Sequence, residues 1–322
     1  MGTPQESPQP GRFQRYLNFV AKRTTGLYFR DILRNQQEIL RRQEELSEQL
    51  RQAANGGAAR QAVYLGDHKV LTRTAQGHKI VLDTRDQSLF PHIALDGEWE
   101  SWVTDVLVKN LRPGMTVVDA GANVGYFTLI ACNAVGREGR VFAFEPDPET
   151  YEMLFRSVEM NGFRQICQCH RMALSSSRGK ARFYRFSQHF GGNSLWHRGG
   201  ATTEFGDKVS EVEVDTIPFD EFAESAGIRG RIDLIKIDTE GSEAHVLQGM
   251  QKTLAANPNI VLLCEFNAEH IRSSNCDPET AADSLLENGF KFRIIHYDGS
   301  IRPISRTELL DHNDAVLFLQ RE

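Results

Sequence analysis

Four acidic residues stand at the ends of apolar stretches that are typical of buried β-strands, namely Asp119, Glu145, Asp238 and Glu265. The C-terminal ends of parallel strands meet at one edge of an α/β sheet, where ligands bind. A carboxylate within a strand would be costly to bury, so we expect these residues at the strand ends. One such residue alone could cap a helix, but four at equivalent positions predict a cleft lined with carboxylates.

A glycine-containing turn, residues 121–125, follows the first of these strands and precedes a helix-like stretch. Gly121 and Gly125 allow the backbone to approach a ligand closely, and Asn123 tolerates a positive φ better than most residues. The turn differs from the dinucleotide-binding pattern G-x-G-x-x-G, because Asn123 replaces the middle glycine and the third glycine comes one position early. An ordinary strand–turn–helix unit is the alternative that this motif alone leaves open.

The second carboxylate, Glu145, follows Asp119 by one βα unit. A carboxylate at this position can accept hydrogen bonds from both hydroxyls of a ribose. Strands and helices then alternate, which predicts a mostly parallel sheet with helices on both faces. Two strands, residues 291–296 and 315–320, have no clear helix between them, and they predict an antiparallel hairpin at one edge of the sheet.

Three motifs, residues 118–128, 144–147 and 235–243, give the chain a resemblance to a known family. Together they resemble the FkbM family of class I S-adenosylmethionine-dependent methyltransferases, with a match that runs over about residues 64–319. The resemblance implies an α/β, Rossmann-like class I methyltransferase fold. Its sheet would be mostly parallel and seven-stranded, with a C-terminal antiparallel hairpin. The predicted N-terminal helical extension lies outside the resemblance.

The resemblance further implies an enzyme that uses S-adenosylmethionine to methylate a hydroxyl of a sugar, a glycan or glycolipid, or a polyketide-like acceptor. Carried over residue by residue, it predicts a cofactor site made of Glu100, Asp119, Gly121, Asn123, Gly125, Tyr126, Phe127, Thr128, Glu145, Pro146, Asp147, Met172, Ala173 and Asp238. Within that set, Asp119 and the glycine turn would surround the methionine portion and Glu145 would hold the ribose. Asp147 and residues 171–173 would lie near the adenine.

Catalysis would need a group that accepts a proton, because a sugar hydroxyl is a poor nucleophile at neutral pH. We predict Asp238 and Glu240 as catalytic residues; the alternative is that Asp238 caps the helix that begins near Ser242. A second hypothesis is a Mg²⁺ site, with Asp238, Glu265 and Asn267 as oxygen ligands on adjacent strand ends. The first hypothesis needs no metal.

Four regions follow from the composition along the chain. We predict a disordered tail in residues 1–11, a basic amphipathic helix with a short coiled coil in residues 12–57, a lead-in hairpin and lid in residues 58–105, and the methyltransferase domain in residues 106–322. The basic helix predicts either peripheral contact with an anionic membrane or packing on the chain itself. The coiled-coil repeat is compatible with a homodimer.

The composition limits the remaining function classes. A net charge of −6 argues against a general nucleic-acid binder. No apolar stretch reaches the ~18 residues of a membrane span, and the five cysteines form no C-x-x-C pair, so we expect a cytoplasmic protein with reduced thiols. An N-methyltransferase, a non-catalytic nucleotide-binding scaffold and a nicotinamide-dependent oxidoreductase remain as alternatives, the last disfavoured by Asn123.

Overall fold

The computed structural model of the protein describes residues 62–196, 207–312 and 314–321. The predictions for residues 1–57, which are the disordered tail, the amphipathic helix and the coiled coil, fall outside the described residues. Membrane contact and dimerisation rest on that segment and stay predictions. Among the described residues, no helix is both long and apolar enough to cross a membrane.

The regular elements are numbered here in chain order. The strands are β1 (Val63–Gly66), β2 (Lys69–Arg73), β3 (Lys79–Asp83), β4 (Thr116–Ala120), β5 (Arg140–Phe144), β6 (Cys167–His170), β7 (Ala173–Leu174), β8 (Gly179–Phe186), β9 (Val209–Ile217), β10 (Leu234–Ile237), β11 (Val261–Phe266), β12 (Phe290–Lys291), β13 (Arg293–Ile295), β14 (Ile301–Pro303) and β15 (Ala315–Arg321). The helices are α1 (Leu89–Leu95), α2 (Ser101–Asn110), α3 (Tyr126–Val135), α4 (Pro148–Met160), α5 (Phe219–Ser225), α6 (Glu243–Gln248), α7 (Gln251–Ala256), α8 (Ala268–Ser273), α9 (Pro278–Glu287) and α10 (Arg306–Leu310).

The main sheet is built from apolar strands that helices cover on both faces. Its strands lie in the order β14-β13-β15-β11-β10-β4-β5-β6. The central pairs β11–β10, β10–β4, β4–β5 and β5–β6 are parallel, whereas β15 runs antiparallel to β11. Two hydrophobic clusters pack on opposite faces of this sheet, one around Phe144 and Phe219, the other around Leu129 and Leu154. The prediction of an α/β fold with a mostly parallel sheet is confirmed.

The C-terminal part of the sheet corrects two predictions. The sheet has nine strands rather than seven, because β12 and β14 add to it. Strands β13 and β15 pair antiparallel at this end of the sheet, as predicted, with β15 lying between β11 and β13. The connection also contains α10, which begins with a capping box between Ser305 and Glu308. The sequence carried this Ser-x-x-Glu signal.

The segment after the acidic strand end at Asp238 forms two short helices, α6 and α7, instead of one continuous helix. Gly249 separates them, and its carbonyl oxygen accepts a hydrogen bond from the backbone N–H of Asp220 at 2.8 Å. A Cβ on Gly249 would lie 2.1 Å from the carbonyl oxygen of Ser175. Close packing against two other segments therefore sets the break in the helix.

Two smaller sheets flank the main one. In the lead-in segment, β2 and β3 form the predicted hairpin, and β1 extends it. The other small sheet, in the order β7-β9-β8, is inserted between β6 and α5. The two are joined near Asp86, whose Oδ1 accepts a hydrogen bond from the backbone N–H of Phe190 at 3.2 Å. Both segments contribute walls to the same cleft.

Candidate functional site

A cleft opens at the C-terminal ends of β4, β5, β10 and β11, and it holds about 1240 Å³ of empty space, open solvent included. Glu145, Asp238 and Glu265 line it, as the strand-end pattern predicts. The lead-in segment and the inserted sheet supply further walls, which are Leu89, Trp99, Glu100, Val103, Phe183, Phe190, Gly191, Asn193 and Leu195. Carboxylates and apolar groups therefore enclose one space.

The glycine turn, residues 121–125, passes close to the end of β10. A Cβ on Gly121 would lie 1.8 Å from the carbonyl oxygen of Asp238, so only glycine fits there. Gly121 and Asn123 both have positive φ, at 81° and 49°. The residue types in the turn are thus those that its backbone requires.

Glu145 lies at one end of the cleft and is held by backbone groups. Its Oε2 accepts a hydrogen bond from the N–H of Asn123, and its Oε1 accepts one from the N–H of Asp147, both at 2.9 Å. Burial raises the pKa of this carboxyl to about 8, against the effect of the two hydrogen bonds. In the ionised form each oxygen keeps a free lone pair, so the carboxylate can then accept hydrogen bonds from a diol.

Asp119 lies beneath the glycine turn and does not line the cleft. It is 2% exposed, and its Oδ2 accepts a hydrogen bond from the Thr128 hydroxyl at 2.5 Å. Its Oδ1 has no hydrogen-bond partner among the described residues. Burial raises the pKa of Asp119 above its ordinary value, while the nearby charge of Lys236 acts to lower it.

Among the described residues, Lys236 is the one lysine or arginine that lines the cleft. Its Nζ donates a hydrogen bond to Asp238 Oδ2 at 2.7 Å and lies 4.5 Å from the centre of the Phe127 ring. Burial by itself lowers the pKa of Lys236. The charges of Asp238, Asp119 and Glu100 outweigh it, so the pKa lies above the ordinary value and the group stays protonated.

The acidic turn, residues 238–241, forms the other end of the cleft. Glu240 has a positive φ of 56°, which is rare for a residue with a side chain. Glu243 holds this turn, since its carboxylate accepts hydrogen bonds from the N–H groups of Thr239 at 2.8 Å and Gly241 at 2.9 Å. Helix α6 has no side-chain cap, so the alternative role of Asp238 as its cap is excluded.

Glu265 completes this end of the cleft. Its Oε2 is buried and has no hydrogen-bond partner among the described residues. Burial, followed by the charges of Glu240 and Asp238, raises the pKa of Glu265 well above its ordinary value and so favours its neutral form. Glu100 lies near the same group, and burial and the charge of Asp238 raise its pKa to about 7.

A model of the methyltransferase FkbM domain matches residues 119–292, which is more than half of the 322-residue chain. The chain belongs to the FkbM methyltransferase family. Its fold is the Rossmann-like class I methyltransferase fold that the resemblance implies.

Several known proteins are similar to this FkbM-family chain. Methyltransferase sdnD of Sordaria araneosa is 29% identical over 167 residues, which cover 45% of this chain and 64% of that protein. The 31-O-demethyl-FK506 methyltransferase FkbM of Streptomyces tacrolimicus is 32% identical over a stretch that covers 44% of this chain and 61% of that protein. The hexuronic acid methyltransferase AglP of Haloferax volcanii is 29% identical over a stretch that covers 48% of this chain and 58% of that protein. The chain thus spans less than two thirds of the length of each relative.

In this family member, most of the residues predicted to bind the cofactor line the cleft. They are Glu100, Gly121, Asn123, Tyr126, Phe127, Glu145, Pro146, Ala173 and Asp238. Of the predicted catalytic residues, Asp238 and Glu240 both line it. Gly125 and Thr128 do not line the cleft: Gly125 ends the turn and precedes α3, and the Thr128 hydroxyl donates a hydrogen bond to Asp119.

Two residues predicted near the adenine have other roles in the structure. The Asp147 carboxylate caps α4 by accepting hydrogen bonds from the N–H groups of Glu149 and Thr150, and it pairs with Arg185. Met172 packs against the hydrophobic cluster on one face of the sheet. Neither lines the cleft, because helix capping and core packing already occupy these side chains.

The predicted metal-ligand set also changes. Asn267 Oδ1 accepts hydrogen bonds from the N–H groups of Glu269 and His270, both at 3.1 Å, and so caps α8 instead of lining the cleft. The structure brings together Glu240, Glu265 and His270, whose ligand atoms lie within 4.8 Å of one another. No local pattern singles out His270, because α6, α7 and β11 separate it from Glu240 along the chain.

Sequence reasoning also missed Lys236 and Glu243 as parts of the site. A charged residue within the short apolar strand Leu234–Ile237 was a signal for Lys236, because a buried charge requires partners. Asp314, Phe183 and Leu195 line the cleft as well. No local pattern marks these three, since tertiary packing brings them to the cleft.

Proposed function

We propose that this chain is an S-adenosylmethionine-dependent O-methyltransferase whose acceptor is a hydroxyl of a sugar, a glycan or glycolipid, or a polyketide-like molecule. The observation that carries the proposal is that one cleft holds Glu145 at one end and the Asp238–Glu240 pair at the other. The names of the two relatives that act on a demethylated FK506 oxygen and on a hexuronic acid support an oxygen acceptor.

The residues of the cleft suit the cofactor. Glu145 has a free lone pair on each oxygen for the ribose hydroxyls, and Gly121 presents bare backbone where a side chain would intrude. When bound there, S-adenosylmethionine supplies a methyl group that is already activated by its sulfonium, and the departing thioether keeps the electron pair of the broken carbon–sulfur bond. Tyr126 and Phe127 provide apolar wall and exclude water.

Asp238 is the group we assign to proton transfer. The acceptor hydroxyl gives its proton to the Asp238 carboxylate as its oxygen bonds to the methyl carbon, and the proton then passes to solvent. Side-chain exposure of 30% gives Asp238 access to an acceptor in the cleft. Glu240, on the same turn, is the second candidate for this role.

Calorimetric titration with S-adenosylmethionine and, separately, with NAD tests the cofactor. We expect the wild type to bind S-adenosylmethionine but not NAD. Glu145→Ala should weaken binding by about 30-fold or more, because it removes two charge-assisted hydrogen bonds. Glu152→Ala is the matched control, since this exposed glutamate pairs with Arg156 outside the cleft. Preferential binding of NAD would refute the proposal.

Turnover on a panel of glycan and polyketide hydroxyl acceptors tests the proton-transfer role. We expect Asp238→Asn to lower kcat by about 100-fold while cofactor affinity changes only a few-fold. Glu240→Gln is the companion variant. Near-normal turnover in both variants would exclude this pair as the base, and loss of turnover on exhaustive chelation would favour the Mg²⁺ hypothesis instead.

A further inference from the structure

Lys236 lies within the central strand β10, where both neighbouring strands are parallel to it. In the register of the sheet it stands opposite Asp119 on β4 and Leu263 on β11. It is 5% exposed. An ammonium group at such a position is costly to bury, so partners must compensate for the lost water.

The partners of Lys236 come from four different segments of the chain. Asp238, on the acidic turn, accepts its hydrogen bond at 2.7 Å. Asp119, at the end of β4, and Glu100, which precedes α2, act on it through their charges. The Phe127 ring from α3 lies 4.5 Å from the ammonium. One cation thus connects the glycine-turn end of the cleft with the acidic turn.

We propose that Lys236 is a positioning residue of the transfer site, whose ammonium fixes Asp238 and favours the charged form of the neighbouring carboxyl groups of Asp119 and Glu100. This inference rests on the proposed function. An ion pair kept only for stability gains little over well-packed apolar residues. A cation placed among three carboxylates at a cleft instead controls which of them carry charge at neutral pH.

The sign of the expected pH effect follows from the charges. Lys236 lowers the pKa of both Asp119 and Glu100. Without the ammonium these pKa values rise, and the carboxylates then attract a cationic sulfonium only at higher pH. The charged and titratable groups around this point are Glu100, Asp119, Glu145, Asp238, Glu240, Glu243, Glu265 and Asp314.

The test is the affinity for S-adenosylmethionine, measured by calorimetry between about pH 6 and pH 9, for the wild type and Lys236→Met. We expect Lys236→Met to bind about tenfold more weakly near neutral pH, and to recover as pH rises. Lys69→Met is the matched control, since Lys69 is also paired with a buried aspartate, Asp83, but lies outside the cleft. Its pH profile should match the wild type.

Lys236→Arg keeps the charge and separates this role from a loss of folding. We expect it to keep the wild-type pH profile with weaker binding, because the planar guanidinium does not reproduce the point charge and hydrogen-bond geometry of the ammonium. An unchanged affinity and pH profile in Lys236→Met would overturn the inference alone. If Lys236→Met does not fold, Lys236→Arg tests the inference alone. A pH profile of Lys236→Arg that shifts as far as the shift expected for Lys236→Met would overturn the inference. A wild type that binds no S-adenosylmethionine would overturn the proposed function and this inference together.

Discussion

At the glycine-turn end of the cleft, two backbone N–H groups hold the carboxylate of Glu145, whereas at the other end a buried ammonium holds the carboxylate of Asp238. The first arrangement depends on a local backbone path, and all its parts lie between residues 121 and 147. The second depends on side chains from separate elements, including Glu100 and Glu265.

This difference separates two ways of holding charge in one site. Backbone donors are fixed by the fold and leave the carboxylate free to take a ligand. Side-chain charges adjust one another, so the protonation of one group depends on the others. We therefore expect variants at the glycine-turn end to act mainly through geometry, and variants at the acidic end mainly through pH.

Gly121→Ala should have the largest effect, because Gly121 is where the two ends touch. The added Cβ would lie 1.8 Å from the carbonyl oxygen of Asp238. We expect a loss of about 4 kcal/mol in the free energy of unfolding, measured by denaturant titration. Gly114→Ala is the control, since Gly114 has a similar φ of 85° and no atom within 4 Å of the added Cβ.

The control should lose about 1 kcal/mol, which is the cost of a left-handed backbone for alanine. If the two alanine variants are equally stable, the close approach of the glycine turn to the acidic turn is not a constraint on the fold. The two ends of the cleft would then not be coupled through Gly121.

Thr128→Val should have an intermediate effect at the glycine-turn end. It removes the hydroxyl that donates a hydrogen bond to Asp119 Oδ2. Since Asp119 Oδ1 has no partner among the described residues, the buried carboxylate then loses its side-chain hydrogen bond entirely. We expect a loss of about 2 kcal/mol in the free energy of unfolding. Thr72→Val is the matched control, because the buried Thr72 hydroxyl has no partner among the described residues, so its loss should be close to neutral. Equal losses would contradict the role of the Thr128–Asp119 hydrogen bond.

Glu265→Gln should have the smallest effect near neutral pH, because glutamine is neutral, like the protonated form of Glu265 that burial favours. The pKa of Glu265 is raised on folding, so the wild type is favoured at low pH and loses stability as pH rises from its unfolded pKa of 4.5. The glutamine variant has no carboxyl group at this position, so it does not lose this stability as pH rises. Thermal unfolding across a pH series should show the stability of the variant gaining on the wild type as pH rises, and a constant difference would contradict the assignment of the proton.

The sequence predicts the glycine-turn end well because its information is local. Positive φ at Gly121 and Asn123 follows from residue type, and the spacing from Asp119 to Glu145 follows from one βα unit. The alternation of strands and helices likewise predicts the parallel sheet. Asp147 marks the limit of such reasoning, since the same carboxylate near a site serves equally well as a helix cap.

The acidic end could be predicted only in part. Asp238 and Glu240 stand in one motif with Lys236, but their neighbours Glu100 and Asp314 come from distant parts of the chain. Their roles arise from burial and mutual charge, which no local pattern contains. The place of β15 between β11 and β13 likewise depends on long-range pairing.

That place of β15 has a consequence for the order of assembly during synthesis. Strand β11 carries Glu265 and pairs with β15 on one side. Strand β13 lies on the other side of β15 and is synthesised before it. Until residues 315–321 are made, Leu262, Leu263 and Cys264 of β11 lack this neighbour. We therefore expect the glycine-turn half to form while the chain is still growing, and the acidic half to close only afterwards.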